Sequence, residues 1–407
     1  MQRRVVITGI GVVTSIGVGH EAFWRNLLDG RSGISEVESF PTDAYRTHRG
    51  GEIKGFDADA YVSRLDPSKL GRASKLAIAA AHLALDDAGL DADAPALEMA
   101  GVAVGTTSGE PQLVERFNDC YVSGELERVG PEWASGYPCH VIAGNVASEL
   151  RFGGANMTMP AACAAGNHAI GHAWDTLRCG RAAIMLAGGS DAFSRITFTG
   201  FSQLGAIAPQ RCQPFDRNRR GMIPGEGAAI LVLEPLEEAR DRGARMYAEV
   251  AGYALSCDAH HMTASHGGGE GATRAMAQAL RESGLRPAQV SYISAHGTGT
   301  PTNDRIETIA VKRVFDGAAY DVPMSSIKSM LGHSMGAASA IEAAVCALAI
   351  RDDRIPPTIN LEEADPECDL DYVPNEARAH KVEVAMNNAY AFGGNNATLI
   401  LRKQGWS

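Results

Sequence analysis

Short apolar runs alternate with alanine-rich stretches of helical length along the whole chain, and this alternation constrains the fold most. The runs AIMLAGG (183–189) and AAILVLE (228–234) show no alternation of polar and apolar residues. Strands that are covered on both faces have this pattern, because neither face meets water. The sequence therefore predicts a layered α/β protein.

The same pattern places the individual elements. The predicted strands are residues 5–8, 101–105, 155–159, 184–188, 229–234, 247–254, 292–295, 323–326 and 398–402. The predicted helices are residues 20–28, 72–88, 166–179, 272–283, 306–315 and 337–351, and 236–245 is helix-like. Units of helix and strand occur in both halves of the chain, so we expect two units, 1–249 and 250–407. No Pro-rich or Ser-rich linker separates them, which favours one shared body.

The charge balance limits the classes of partner. The formal net charge is −11, and the charged fraction of 21% and hydrophobic fraction of 45% are ordinary for a globular protein with a large core. Nucleic acid is not expected as a general partner, because phosphate binding needs a basic face. A local basic patch for an acidic protein remains open.

Membrane, cofactor and metal signals are weak. No run of about 18 apolar residues occurs, so no transmembrane helix is expected. We expect a cytoplasmic location. The segment 9–14 lacks the third glycine of a dinucleotide fingerprint, and no P-loop or HExxH is present. The eight cysteines form no CxxC and are expected to be reduced thiols. We therefore expect no metal and no tightly bound cofactor, although a structural monovalent cation near Asn387 and Asn388 stays open.

Cys163 lies in TMPAACAAGNHAIGHAWDTLRCG (158–180), between a predicted strand and a long predicted helix. At the start of a helix, unpaired N–H groups and the helix dipole favour the thiolate, which is the nucleophilic form. The small neighbouring alanines would let a substrate carbonyl approach the backbone closely. A buried structural cysteine, as we expect of Cys179 and Cys346, is the alternative, and this segment alone does not decide.

Two histidine segments lie in the second half. His296 closes a predicted strand and begins the loop HGTGT (296–300), whose glycines and hydroxyls suit a flexible polar ligand. The alternative is a turn histidine before a helix that Asn303 or Asp304 would cap near Ile306.

The second histidine segment is SSIKSMLGHSMGAASAIEAA (325–344). It places His333 at a Gly-His-Ser turn before an alanine-rich helix, with Lys328 and Glu342 nearby. The lysine and the glutamate are candidates to set the orientation and protonation of the imidazole. A buried structural pair between them is the alternative.

The last segment, NNAYAFGGNNATLIL (387–401), places Phe392 beside two glycines. A glycine-rich loop can supply a backbone N–H to an oxyanion and can move an aromatic gate. Alone, this signal is weak.

Together these segments resemble the β-ketoacyl synthases that act on acyl carrier proteins, the elongating class of type II fatty-acid and polyketide systems. The order Cys…HGTGT…K-x3-GH…FGG carries the resemblance, which spans essentially the whole chain and includes 213–239 and 258–264. It implies a thiolase-like α/β fold, with two similar halves in a five-layered αβαβα body, and usually a homodimer. A thiolase would have a cysteine in the loop 392–395, a ketosynthase III an asparagine in place of His333, and a chain-length factor would lack Cys163.

The resemblance also implies the reaction and the site. Cys163 would hold the acyl group as a thioester. His296 and His333 would stabilise the enolate that malonyl-acyl carrier protein forms as it loses carbon dioxide, and the product would be a 3-oxoacyl-acyl carrier protein. The resemblance also implies that the N–H groups of Cys163 and Phe392 form an oxyanion hole and that Lys328 and Glu342 organise the histidines. It implies phosphopantetheine binding by Thr298 and Thr300. It further implies an acyl pocket at Ser108 and Phe201.

Several residues depart from the pattern of the family. Pro160 and Ala161 replace a Ser-Thr pair, Ala165 replaces a hydroxyl residue, and Ala391 replaces a glycine; Ser108 stands where a larger apolar residue is common. These departures leave the catalytic set intact and favour a specialised polyketide or polyene pathway over general fatty-acid elongation. A subunit that is active only as a heterodimer with a chain-length-factor-like partner is the alternative.

A basic cluster marks the predicted docking site of the acyl carrier protein. It consists of Arg64, Lys69, Arg72 and Lys75. A solvated helix face is the alternative interpretation.

Overall fold

Eleven strands form one mixed sheet in the computed structural model, which describes residues 3–405. Ten of them follow one another across the sheet, and the eleventh, Gly17–Val18, pairs with the end of the first. In chain order the ten are β1 Val5–Thr14, β2 Gly101–Gly105, β3 Asn156–Met159, β4 Met185–Asp191, β5 Gly227–Pro235, β6 Ala248–Cys257, β7 Tyr292–Ser294, β8 Met324–Ser325, β9 Val384–Tyr390 and β10 Asn395–Arg402. Two small ladders, Ser35–Glu36 with Arg49–Gly50 and Arg354–Ile355 with Arg378–Ala379, lie apart from it.

The sheet consists of two half-sheets with the same internal order. From the centre outward, the first half runs β1-β5-β4-β2-β3 and the second runs β6-β10-β9-β7-β8. In each half the two pairs nearest the centre are antiparallel and the two outer pairs are parallel. β1 and β6 join the halves through an antiparallel pairing at Val5 and Val250. The strand order therefore shows that one half repeats the topology of the other.

The helices form three layers around the half-sheets. In chain order they are α1 His20–Leu28, α2 Arg72–Ala88, α3 Pro111–Ser123, α4 Pro131–Gly136, α5 Val141–Leu150, α6 Ala165–Arg178, α7 Arg195–Gln203, α8 Leu236–Asp241, α9 Glu270–Ser283, α10 Pro301–Phe315, α11 Lys328–Leu331 and α12 Ala338–Asp352. Helices α6 and α12 pack between the half-sheets, α2 and α5 cover the first, and α9 and α10 cover the second. The predicted five-layered α/β fold is confirmed. No helix of the described part of the chain is long and apolar enough to cross a membrane.

The predicted strand 5–8 is too short, because β1 continues to Thr14. The sequence interpretation ended it before Gly9 and Gly11. A Cβ at Gly9 would lie 2.2 Å from the backbone oxygen of Ala84, and one at Gly11 would lie 1.8 Å from that of Ala80. The glycines therefore let α2 pack directly against the strand instead of ending it.

The expected division at residues 249 and 250 falls inside β6. The repeated strand order instead puts the junction between α8 and β6, where the second half-sheet begins. The division into two units stays a prediction with this shifted boundary.

Equivalent positions of the two halves carry the candidate residues. In the first half, β3 leads through a 3₁₀ turn at Ala162–Ala164 into α6, and Cys163 lies in that turn. In the second half, β8 leads through α11 and a 3₁₀ turn at Met335–Ala337 into α12, and His333 lies two residues before that turn. The central helices approach each other closely there, since a Cβ at Gly166 would lie 2.5 Å from the backbone N of Ala340. The duplicated topology thus brings residues from both halves together.

Candidate active site

Cys163 lies in a tight turn of small residues before α6. Its side chain is 8% exposed, and the preceding Ala162 has a φ of 47°, a left-handed conformation that is uncommon outside glycine. The turn is therefore shaped to present one thiol while excluding most solvent.

The expected stabilisation of the Cys163 thiolate is wrong. Burial raises the pKa of this thiol to about 12, and the nearby Lys328 ammonium lowers it by less than burial raises it. Because the ionised sulfur would lose its hydration there, desolvation outweighs the charge of the lysine. Cys163 consequently rests as a thiol that must give up its proton when it reacts.

The backbone of His296 is held by a carboxylate that the sequence analysis missed. The N–H groups of His296 and Gly297 each donate to one Glu307 oxygen at 2.8 Å, and Glu307 is fully buried on α10. Gly297 has a φ of 37°, which favours glycine. This pair of bonds fixes the loop, whereas the Nδ1 atom of His296 is buried with no hydrogen-bond partner in the described part of the chain.

His333 is fixed in one tautomer by the turn that follows it. The N–H of Met335 donates to Nδ1 of His333 at 3.2 Å, so Nδ1 is the acceptor and the ring proton of the neutral imidazole is on Nε2. The backbone N–H of His333 donates to the oxygen of Ile223 at 2.6 Å. His333 is therefore a preorganised Nε2–H donor.

The thiol and the two imidazoles form one buried cluster. The Cys163 Sγ and a ring nitrogen of each histidine lie within 4.8 Å of one another, and the two rings meet edge to face with centroids 5.5 Å apart. Burial and, next, the charge of Lys328 lower the pKa of both histidines well below 6.5, so both are neutral at neutral pH. The cluster can donate and accept hydrogen bonds without carrying charge.

The same three side chains are the one cluster in the described part of the chain with a metal-ligand set of three donors. Thiolate and neutral imidazole are ligands that Zn²⁺ takes. The prediction that no metal binds stays a prediction.

Lys328 and Glu342 form a fully buried ion pair. Burial raises the pKa of Glu342 to about 7, although Lys328 opposes that shift. Neither side chain is among the described residues that line the cleft, so Lys328 acts on Cys163 and the histidines through its charge.

The cluster lies at the inner end of a cleft of about 350 Å³. Of the predicted site residues, this cleft brings together Cys163, Phe201, His296, Thr298, Thr300, His333 and Phe392. The Phe392 ring packs on that of Phe201 with centroids 5.6 Å apart and is 37% exposed. Gly393 and Gly394 follow it with φ values of 78° and 74°, which glycine adopts without strain.

Thr300 caps α10, and this corrects the predicted start of that helix. The helix begins at Pro301, and the Thr300 hydroxyl accepts the N–H of Asn303 at 3.3 Å. A helix near Ile306 capped by Asn303 or Asp304 is therefore wrong. Proline suits the first helical position, because its missing N–H is not needed there.

Comparisons with known proteins agree with this geometry. The model of the β-ketoacyl synthase N-terminal domain matches residues 2–239, and that of the C-terminal domain matches residues 247–362. The chain belongs to the β-ketoacyl synthase family. It is 41% identical to the 3-oxoacyl-[acyl-carrier-protein] synthase 2 of Synechocystis sp. over 99% of this chain and 98% of the relative. It is 38% identical to the enzyme of the same name from Coxiella burnetii, over 99% of each chain.

Two solved ketosynthase structures resemble the chain over nearly its whole length. One, titled the ishigamide ketosynthase/chain length factor, is 42% identical, covers 100% of both chains and superposes with a TM-score of 0.96. The other is titled a type II PKS acyl-carrier protein in complex with its ketosynthase bound to the hexaketide. It is 33% identical over 99% of this chain and 100% of that chain, with a TM-score of 0.91.

Ser108 lies outside the cleft but is connected to the His333 turn. The buried Asp191 accepts the N–H groups of Thr107 at 2.7 Å, Ser108 at 3.0 Å and Gly336 at 2.7 Å. Asp191 therefore joins the loop after β2 to the turn behind His333. Asp191 lies two residues after the apolar run 183–189, as the last residue of β4, and a carboxylate at the end of a buried strand is the signal that could have identified it.

Three of the four predicted docking residues are bound to carboxylates or backbone within the chain. Arg72 donates twice to the buried Glu226 at 2.7 Å, Lys75 pairs with Asp59 at 2.7 Å, and Arg64 donates to the Glu149 backbone oxygen at 2.7 Å. Lys69 is 69% exposed, with only a loose 3.8 Å contact to Asp66. Carrier-protein docking stays a prediction that Lys69 supports best.

Three buried side-chain oxygens bear on the possible monovalent cation site near Asn387 and Asn388. Ser294 Oγ, Glu342 Oε2 and Asn387 Oδ1 have no hydrogen-bond partner in the described chain. Ser294 and Asn387 are opposite each other on β7 and β9. Neutral and anionic oxygens are the donors that hard cations prefer, so the cation also stays a prediction.

The cysteines are all free, as expected of reduced thiols. Cys346 is buried, but Cys179 is exposed, so the expectation of a buried structural thiol at Cys179 is wrong. Cys179 follows the last residue of α6, where the chain reaches the surface.

Proposed function

We propose that this protein condenses an acyl group, held as a thioester on Cys163, with malonyl-acyl carrier protein to give 3-oxoacyl-acyl carrier protein and carbon dioxide. The observation that carries the proposal is the buried thiol beside two neutral imidazoles at the inner end of an open cleft. Acyl transfer to a thiol divides the reaction into two steps, each with a lower barrier.

In the first step, Cys163 Sγ attacks the carbonyl carbon of the incoming thioester. The new C–S bond forms, the bond to the carrier thiol breaks, and the thiol proton passes to the departing sulfur. His296 suits that proton transfer, because its unpartnered Nδ1 leaves both tautomers accessible. The N–H groups of Cys163 and Phe392, both lining the cleft, would stabilise the oxyanion.

In the second step, the malonyl group loses carbon dioxide and leaves an enolate. The Nε2–H of His333 donates to the developing oxyanion, and His296 supplies the second hydrogen bond. The enolate carbon attacks the acyl carbonyl, a C–C bond forms, and the C–S bond to Cys163 breaks. The thiolate then takes up a proton from solvent.

Phe392 and Phe201 would gate the cleft, while Thr298 and Thr300 would bind the phosphopantetheine arm. The two threonine hydroxyls lie 3.0 Å apart along the cleft wall, where a flexible polar arm can exchange hydrogen bonds with them. No cofactor is needed by these steps, because the substrate arrives covalently attached to its carrier.

The intact mass of the acyl-enzyme tests the function. Incubation with acyl-acyl carrier protein should add one acyl mass to the wild type and none to Cys163→Ala, and an adduct that persisted on the variant would refute the nucleophile. Cys163→Gln should retain malonyl decarboxylation without condensation. A scan of carrier-bound chains of different length and polarity would define the substrate.

We place the reaction in type II polyketide or polyene synthesis, with fatty-acid elongation as the other pathway. Two observations support this choice: the small polar Ser108 beside the Asp191 network, and the solved relative whose title names a type II PKS acyl-carrier protein with its ketosynthase. Equal or better loading of long saturated chains than of polar or unsaturated ones would contradict it.

We propose that a second ketosynthase-fold subunit covers the outer edge of β3 and the exposed side of α3. The outer edge of β3 is unpaired in the described structure, and unpaired edges are commonly covered. A groove of about 300 Å³ is lined by residues of α3 and α4. Large apolar side chains are exposed on α3 and in the segment after it, at Val114, Phe117, Tyr121, Val122, Leu126 and Tyr137, and on β3 at Met157. Exposed apolar patches of this kind mark subunit contacts.

The subunit is either a second copy of this chain or a chain-length-factor-like partner, the alternative that the ishigamide relative supports. The two assemblies can be distinguished by purifying this chain without any partner and then measuring its size and its activity. An active species of twice 42.9 kDa indicates the homodimer, and an inactive species of 42.9 kDa indicates the heterodimer. Met157→Lys should dissociate either assembly.

Lys69 tests carrier-protein docking. Lys69→Glu should raise the Michaelis constant for the carrier protein about 3-fold or more at low salt, because exposed ion pairs are weak and screened. An unchanged constant would refute the docking site. Arg72→Glu is unsuitable, since it would leave the buried Glu226 unpaired.

A further inference from the structure

Arg220 is the only residue with a formal charge among the described residues that line the cleft. The lining contains no aspartate, glutamate or lysine, and both of its histidines are held neutral. Arg220 is exposed, whereas the reacting cluster is buried, so the arginine lies at the outer end. A lone cation there contrasts with a chain whose net charge is −11.

The guanidinium of Arg220 has no partner within the described chain. The nearby Arg211 and Arg219 form ion pairs with Glu362 and Asp365. No carboxylate of the described residues comes within ion-pair distance of Arg220. Its charge is therefore available to a ligand.

The backbone beside Arg220 is fixed to the loop that would bind the arm. The N–H of Gly221 donates to the oxygen of Gly299 at 2.9 Å, between Thr298 and Thr300. The N–H of Met222 donates to the oxygen of Ala206, another residue that lines the cleft, at 2.9 Å. Arg220 is thus carried by a rigid segment, and its side chain remains free.

We propose that Arg220 binds the phosphate ester of the phosphopantetheine arm. This inference rests on the proposed function. The phosphate is at the end of the arm away from the thiol, so it stays near the mouth when the thioester reaches Cys163. A planar guanidinium donates two parallel hydrogen bonds to a phosphate, which a lysine cannot reproduce.

The test measures acyl loading of Cys163 by intact mass with two small substrates, an acyl-pantetheine and the corresponding acyl-4′-phosphopantetheine. The wild type should load the phosphorylated substrate about 5- to 20-fold more efficiently, as expected for one partly exposed charge-assisted contact. Arg220→Ala should lose most of this preference, and Arg220→Lys should keep part of it. Raising the salt from about 0.05 M to about 0.5 M should weaken the wild-type preference.

Arg217→Ala is the matched control. Arg217 is exposed on the same segment but does not line the cleft, so this variant should keep the wild-type preference. A preference that survives in Arg220→Ala, or that is absent from the wild type, refutes the inference.

A variant defect seen with the intact acyl carrier protein but not with acyl-phosphopantetheine also refutes it, and would assign Arg220 to an acidic side chain of the carrier. Absence of any adduct on wild-type Cys163 with every thioester would instead refute the proposed function. The two failures are therefore distinguishable.

Discussion

The buried Lys328–Glu342 pair leaves open whether it acts in catalysis or only in structure, and Lys328→Met separates these roles. The substitution keeps most of the length of the unbranched side chain and removes its charge. Glu342 then remains in the core without a counterion, and breaking a buried pair in this way typically costs about 3–5 kcal/mol. For a chain of 407 residues, with about 2 cal/mol/K of unfolding entropy per residue, this corresponds to a fall in Tm of roughly 4–6 °C.

The sign of the pH dependence follows from Glu342. Its folded-state pKa is raised from 4.5 to about 7, so the folded protein binds the proton more tightly than the unfolded chain does between these values. Binding of that proton stabilises the folded state, so the free energy of unfolding falls as the pH rises from 4.5 to about 7. Without Lys328 the pKa rises further, and the variant should be more destabilised at pH 8 than at pH 5.5. Thermal unfolding at the two pH values measures this.

Lys328→Met/Glu342→Gln supplies the decisive comparison. It removes the unpaired charge, so stability should return to within about 1–2 kcal/mol of the wild type and lose the added pH dependence. Acyl loading should be slower than in the wild type in both the single and the double variant, because Lys328 lowers the pKa of Cys163 and both variants lack that charge. Recovery of loading together with stability would show that the pair is structural. Failure of stability to recover would refute the electrostatic reasoning.

Three further substitutions test the supports of the cluster. His333→Ala should slow malonyl decarboxylation, followed as carbon dioxide release, by about 10²–10³-fold, because it deletes a fixed donor; an unchanged rate would exclude that role. Glu307→Gln replaces one of the two oxygens that hold the loop of His296 with a donor, so denaturant titration should show a loss of about 1–3 kcal/mol; wild-type stability would contradict this. Asp191→Asn should slow decarboxylation about 10-fold while acyl loading changes by less than about 3-fold, since it disturbs the turn behind His333; equal losses in both steps would indicate a structural role alone.

Local sequence signals predicted much of the fold. Helices α1 and α2 and strand β2 have the predicted bounds, and Gly89, in the left-handed conformation, ends α2 as a C-cap. The prediction failed where a local signal had a distant cause. β1 passes through two glycines because α2 packs on them, and α10 starts early because Thr300 is its cap.

The candidate site divides in the same way. The order of Cys163, His296 and His333 along the chain predicted the cluster through the resemblance to the β-ketoacyl synthases. The protonation states did not follow from the sequence, since burial reverses the shift expected from a helix N-terminus at Cys163. The sequence also did not show whether the basic cluster is free to bind a carrier protein. Arg72, for example, is paired with Glu226, which lies 154 positions away in the chain.

The duplicated half-sheets explain why the site requires both halves. The carboxyl ends of parallel strands meet at one edge of a sheet, where loops gather to form sites. The equivalent strands β3 and β8 lead to Cys163 and His333, and β2 and β7 lead to the Ser108 loop and His296.

The third equivalent pair, β4 and β9, leads to Asp191 and Phe392. In the proposed mechanism, the first half thus supplies the nucleophile and the loop beside it, while the second supplies the donors and the gate. Asp191 links the two halves, because its carboxylate accepts hydrogen bonds from both the Ser108 loop and the turn behind His333. We therefore expect changes in the Ser108 loop to alter which acyl group is loaded and, through Asp191, how fast the malonyl unit is decarboxylated.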